Sequence, residues 1–247
     1  MNSFIQLSKI SFKIIFRDQS GIFFTIVLPL ALYIAASLLP IGQFFKQSVP
    51  YPHYLLPGII AMQVMSGGIY GLAYWMVEAK AAGVLKRFMV TPINKVELIL
   101  SLLSARVAVM IIQTIIFTLV GVLLFKAPFT GNVFSVLLFV ILGGGVFLLI
   151  GLLISTLAKS YQAAAPITSA IGLTFVFLGN IFYPASSLPH ALQVISNILP
   201  VTYLADALRY LFLNPFNFAA IQTDLAVLAV WFAALLLLTV WRFKFEE

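Results

Sequence analysis

EAKAAGVLKRFMVTPINKVEL, residues 78–98, separates two long apolar runs. It carries two acids, Glu78 and Glu97, and four of the chain's 14 basic residues: Lys80, Lys86, Arg87 and Lys95. Over the whole chain 62% of residues are hydrophobic and 9% are charged. Charge gathered this tightly in so apolar a chain marks a segment that meets water and a partner. It also marks the runs on either side as something other than a soluble core.

Outward from that segment the composition decides the class. The 247 residues have a mean hydropathy of +1.11, outside the range of soluble domains. A helix of about 20 apolar residues crosses the hydrocarbon core of a bilayer. Six such runs occur, at residues 21–39, 57–77, 98–125, 133–157, 163–182 and 221–241. None shows the strict alternation of a membrane barrel strand. The chain therefore reads as an all-α integral membrane protein, a single transmembrane domain over residues 1–247. With no cysteine there is no disulfide or thiolate metal site.

Charge orients the spans. Lys9, Lys13, Arg17, Lys80, Lys86, Arg87, Lys95, Lys159, Arg242 and Lys244 fall on one side of a six-span arrangement. Lys46, Lys126 and Arg209 fall on the other, and Arg106 lies inside span three near its basic end. The positive-inside rule puts both termini in the cytoplasm of a cell inner or plasma membrane. The net charge of +7 reflects this bias, not an affinity for nucleic acid.

Two further segments have helical character. At 100° per residue, Asn2, Ser3, Gln6, Lys9, Lys13 and Arg17 share one face of residues 2–17, with Phe4, Ile5, Phe12, Ile15 and Phe16 mainly opposite. This is the pattern of an interfacial helix, with its cations at the headgroups and its aromatics at the acyl boundary. The outer stretch 183–220 is too apolar for a solvated loop. Pro184, Pro189 and Pro200 punctuate two short amphipathic patterns, each proline placed to suit a helix start. A re-entrant or interfacial helical pair satisfies its backbone.

Catalytic signatures are missing. There is no GxxxxGK[ST] phosphate loop, no GxSxG elbow and no HExxH. His53 and His190 are both assigned to outer loops without metal-pair spacing. No acid lies near the middle of a span, unlike many ion-coupled carriers. The polar residues within the spans include Gln63, Tyr70, Gln113, Thr114, Thr168, Ser169, Thr174 and Asn180, and interhelical hydrogen bonding accounts for most such residues. Gly67, Gly68 and Gly71, and Gly143 to Gly145 with Gly151, read as sites of close helix packing.

Glu78, Gly83, Leu85, Lys86-Arg87, Thr91-Pro92 and Glu97-Leu98 resemble the pattern between spans two and three of the type-2 ABC exporter permeases. That class covers daunorubicin-resistance-like drug exporters and polysaccharide exporters. Phe182-Tyr183-Pro184, Leu188-Pro189, Leu199-Pro200, Thr202-Tyr203, Asp206 and Arg209 match a second, distant part of the same pattern. One departure is the run Ser101 to Ser104 before Arg106, where relatives often carry a lysine.

The resemblance implies a permease subunit of an ATP-driven exporter, multidrug efflux among its roles. Such a subunit works as a homo- or heterodimer and binds a separate ATP-binding subunit. Residues 78–97 would be the cytoplasmic coupling segment. Gly83 would turn the chain, Leu85 and Phe88 would offer an apolar face, Lys86 and Arg87 charge, and Thr91-Pro92 would end the short helix. Glu78 would pair with Arg17 or Lys86. Gln63, Tyr70, Gln113, Thr114 and Asn180 are candidates for a substrate path. The chain itself would hold no cofactor; ATP and magnesium would belong to the partner. Two alternatives remain: a non-transporting polytopic protein such as an immunity or assembly factor, and a membrane-embedded lipid-modifying enzyme, which the lack of clustered acids or histidines disfavours.

Overall fold

The computed structural model describes residues 2–40, 49–84, 95–158 and 160–242. The regular structure of the described residues is all helical. In order they form α1 (Asn2–Arg17), α2 (Gln19–Ile22), a π-helical segment (Phe23–Val27), α3 (Leu28–Leu38), α4 (Tyr51–Ala81), α5 (Lys95–Phe125), α6 (Val133–Leu157), α7 (Tyr161–Leu178), α8 (His190–Ser196), α9 (Pro200–Leu213) and α10 (Phe218–Arg242). Five of these, α4, α5, α6, α7 and α10, are long and apolar enough to cross a membrane, and the count is six if α8 and α9, bent by 82°, are taken as one broken span.

The expected first span, residues 21–39, is not one regular helix. The apolar stretch Phe23–Leu38 is shorter than the other spans, and it opens with a π turn in which the Leu28 N–H reaches back to the Phe23 carbonyl. Pro29 follows at once. It has no N–H to donate to Thr25, and its ring crowds that carbonyl, so a widened turn accommodates it.

The second span begins six positions before the expected Pro57, at Tyr51. The extension is too polar to read as a span, and tertiary hydrogen bonds hold it. The Tyr51 hydroxyl donates to Phe182 O at 3.1 Å, and His53 Nε2 lies 3.0 Å from Phe125 O. The expectation that His53 sits in a loop is thereby corrected: it belongs to the first turn of α4.

α4 is the centre of the molecule. Leu55, Leu56, Ile59, Ile60, Met65, Ile69 and Leu72 are all fully buried, and such all-round apolarity suits a helix enclosed by others. Its most apolar window is 78% buried and that of α6 67%, against 22% for α7 and 17% for α10. The last two therefore give most of their apolar surface to lipid or to another chain. α4 and α6 meet backbone to backbone at Gly68 and Gly151. Gly143, Gly144 and Gly145 admit Leu204 of α9, Met110 of α5 and Phe232 of α10 respectively.

α1 packs along α5, with the Ser8 and Ser104 hydroxyls 3.2 Å apart. Phe4, Leu7, Phe12 and Ile15 are half-buried, while Ile5, Ile10, Ile14 and Phe16 are exposed. The expected split into one charged and one lipid-facing side is thus modified: Phe4, Phe12 and Ile15 are half-buried, and exposed apolar residues flank them on both sides, Ile5 and Phe16 on one and Ile10 and Ile14 on the other.

The segment 183–220 forms the helical pair expected of it. Pro184 is the N-cap of a short 3-10 turn (Ala185–Ser187), Pro189 that of α8, and Pro200 opens α9. Trp231 Nε1 donates to Ile198 O at 3.1 Å, tying the bend to α10. Thr130 N donates to Phe212 O at 3.1 Å, tying the far end of α9 to the loop before α6.

Candidate functional site

At the basic end of α4 the helix stops where the expected coupling segment begins. The Ala82 N–H donates to Glu78 O at 2.9 Å and the Gly83 N–H to Lys80 O at 3.0 Å. Gly83 has φ +66°, the left-handed conformation that terminates helices and that a Cβ opposes. Lys80 Nζ donates to Ser155 O at 2.9 Å and fixes the helix end on α6. Glu78 is exposed, and the ion pair with Arg17 is not formed. Leu85, Lys86, Arg87, Phe88, Thr91 and Pro92 lie outside the described residues, and so do Lys46, Lys159 and Lys244.

Above this helix end a cavity of about 710 Å³ opens between α1, the first span, α4 and α5. Tyr70, Glu78 and Gln113 line it, together with Asp18, Tyr74, Trp75 and Arg106. The structure thus brings together two of the five path candidates and the acid that opens the expected coupling segment. Gln63 stands behind Gln113: its Nε2 donates to Gln113 Oε1, and Gln113 Nε2 donates to Thr25 Oγ1 at 3.1 Å. One amide chain therefore links spans two, three and one. The Tyr74 and Thr168 hydroxyls, 2.7 Å apart, join the cavity wall to α7.

The other two candidates are elsewhere. Thr114 is buried and donates to Met110 O at 2.8 Å, a bond within its own helix. Asn180 sits at the opposite end of the molecule with φ +56°, ending the fifth span near Leu178 and not at residue 182. Its Oδ1 accepts from the Tyr54 hydroxyl at 2.7 Å, its Nδ2 donates to Asp206, and its carbonyl accepts from Arg209 at 2.8 Å. Arg209 pairs with Asp206 at 2.8 Å and lies 3.8 Å from the Tyr54 ring centroid. This is a lock that holds α9 to α4.

Sequence reasoning placed Arg106 but gave it no role. The available signal was a lone arginine inside an apolar span, which by default marks a functional site. Among the described residues no cluster of three or more His, Cys, Asp or Glu could hold a metal.

The profile described as "ABC-2 type transporter" matches residues 2–213. The chain belongs to the ABC-2 type transporter family. It is 28% identical over 189 residues to the inner membrane transport permease YadH of Escherichia coli K12, covering 76% of this chain and 73% of that protein. It is 25% identical over 174 residues to the probable multidrug ABC transporter permease YbhS of the same organism, covering 68% and 45%. With YbhR, likewise a probable multidrug ABC transporter permease, it shares 21% over 178 residues, covering 72% and 48%. Proteins of the ABC-2 family are membrane subunits without an ATPase domain, and membership implies an ATP-binding partner subunit.

Proposed function

We propose that this ABC-2 permease is an exporter subunit. It works as a dimer and moves an apolar or amphipathic substrate, a drug, lipid or lipid-linked glycan, out of the cytosol or inner leaflet. It does so from the cell inner membrane, with both termini cytoplasmic. Residues 78–97 dock on the ATP-binding subunit, where ATP and magnesium reside. The observation that carries the reading is that this polar segment hangs from α4, the most enclosed span. A push on the segment is therefore delivered to the centre of the bundle. The relatives' designations, transport permease and probable multidrug transporter permease, agree with a transport role. The exposed apolar sides of α7 and α10 leave surface for a second protomer. Tyr70 and Gln113, in the cavity, are kept as path residues; Gln63 supports Gln113.

Leu85 and Phe88, three apart, would share a face of a short helix. An aspartate at either would put a charge into a desolvated groove, at a cost of several kcal/mol unless it is paired. Leu85→Asp, Phe88→Asp and Glu78→Ala are expected to abolish transport with expression retained. Lys86→Ala and Arg87→Ala should do less, because rim charges act mainly on association rate. A segment that serves only to orient the chain in the membrane would reverse that order. Co-purification of the ATP-binding subunit with each variant, beside a transport assay, decides. Aspartate variants that keep the partner and still transport would remove the segment from this role.

A further inference from the structure

The cavity between α1, the first span, α4 and α5 contains a buried guanidinium, that of Arg106, without an ion pair. Arg106 makes no hydrogen bond or ion pair among the described residues, and its Nε is enclosed without an acceptor. The guanidinium lies against α4: a Cβ on Gly71 would be 2.4 Å from its NH1. A guanidinium offers five donors in a planar fork, and leaving it unpaired away from water is costly. Two carboxylates face the same space, Asp18 and Glu78, both exposed and neither within ion-pair distance of Arg106, although the charge of Asp18 reaches it across the cavity. Asp18 Oδ1 accepts from the Gly21 N–H at 2.9 Å.

Glu78 is set apart from Arg106 in depth. Glu78 is on the same helix as Gly71 and about two turns, ~10 Å, nearer its basic end. Side chains on a helix tilt toward its N-terminus, so Glu78 leans back toward the Arg106 fork. Much of the remaining wall is apolar. Phe16 of α1 and Phe24 of the first span, 40% and 64% exposed, line the cavity and give it an apolar edge. A ligand matching this space has an anion deep, a cation nearer the membrane surface, and an apolar tail.

We propose that the cavity binds the headgroup of a zwitterionic bilayer phospholipid. The phosphate sits on Arg106, the distal ammonium faces Glu78 and Asp18, and the acyl chains leave past Phe16 and Phe24. A headgroup carrying only the phosphate charge would leave both carboxylates unmatched. A purely cationic amphiphile would leave Arg106 unpaired.

The test is native mass spectrometry of the full chain, purified in detergent and offered equimolar phosphatidylethanolamine and phosphatidylglycerol. One phosphatidylethanolamine per chain should be retained in preference. Loss of the charge-assisted pair in Arg106→Gln should weaken retention by about tenfold or more. Asp18→Asn combined with Glu78→Gln should bring phosphatidylglycerol level with phosphatidylethanolamine. Size-exclusion profiles report folding. Should Arg106→Gln misfold, Gly71→Val asks the same question with the arginine kept, by filling the guanidinium's place. Equal retention of both lipids by the unaltered chain, or full retention in the folded cavity variants, overturns the proposal. The assay contains neither ATP nor the partner subunit, so its failure leaves the export reading untouched.

Discussion

Gly151 of α6 packs directly on the carbonyl of Gly68 in α4: a Cβ on Gly151 would fall 2.7 Å from that oxygen and 2.8 Å from the carbonyl oxygen of Ile69. The two most buried spans meet here without side chains between them. Lipid tails are as apolar as leucine, so helices in a membrane gain by close packing, and small residues permit it.

Gly151→Ala should therefore destabilise the folded chain by about 1–3 kcal/mol, the usual cost of overpacking, because the obstructing atoms are backbone. Gly67→Ala is the control on the neighbouring position: its nearest contact is the flexible end of Met110 at 3.5 Å. Thermal unfolding followed by size-exclusion of the detergent-solubilised chain should show a lowered midpoint for the first and little change for the second.

Gly83 has nothing within 4 Å of where a Cβ would stand, so only its backbone conformation is at stake. Gly83→Val should impose about 1–2 kcal/mol of left-handed strain. Gly83→Asn should be better tolerated, since asparagine visits that region. The folded core should survive both. Capture of the ATP-binding subunit is the readout, and valine is expected to lower it more than asparagine.

The lock between α9 and α4 should respond asymmetrically. The Arg209 side chain is 11% exposed and that of Asp206 42%. Arg209 also donates to Tyr54 O at 3.3 Å and to Asn180 O at 2.8 Å. Asp206→Ala should cost about 1 kcal/mol, the scale of a partly exposed pair. Arg209→Ala should cost more, and Arg209→Lys should recover little, because an ammonium cannot reproduce the planar fork. Unfolding midpoints of the three variants test the order.

The basic asymmetry predicts the topology. Single cysteines introduced into this cysteine-free chain should react with an impermeant thiol reagent from outside at position 186 or 214, and only after lysis at position 87. Labelling of position 87 on intact cells would reverse the orientation.

Much of the architecture is legible as composition. Residues 133–157 were delimited correctly because the run is uniformly apolar and begins after Asn132, which caps it by accepting from the Phe134 N–H at 2.8 Å. The first turns of α4 were not legible. Tyr51, His53 and Tyr54 look like a loop until Phe182, Phe125 and Asn180 are brought beside them. The π turn before Pro29 was likewise invisible, because proline announces a disturbance and not the form it takes.

The candidate site divides in the same way. By itself the sequence determined the class, the number of apolar runs, the polar segment at 78–98 and its resemblance to exporter permeases. These depend on local composition and on short ordered motifs. Only the tertiary structure decided that Tyr70, Gln113, Glu78, Asp18 and Arg106 share one cavity, and that Asn180 belongs instead to a lock with Asp206 and Arg209. The physical reason is that hydropathy records how much of a helix avoids water. Which face meets which neighbour is set by close contacts such as Gly151 on Gly68, and those exist only once the helices have packed.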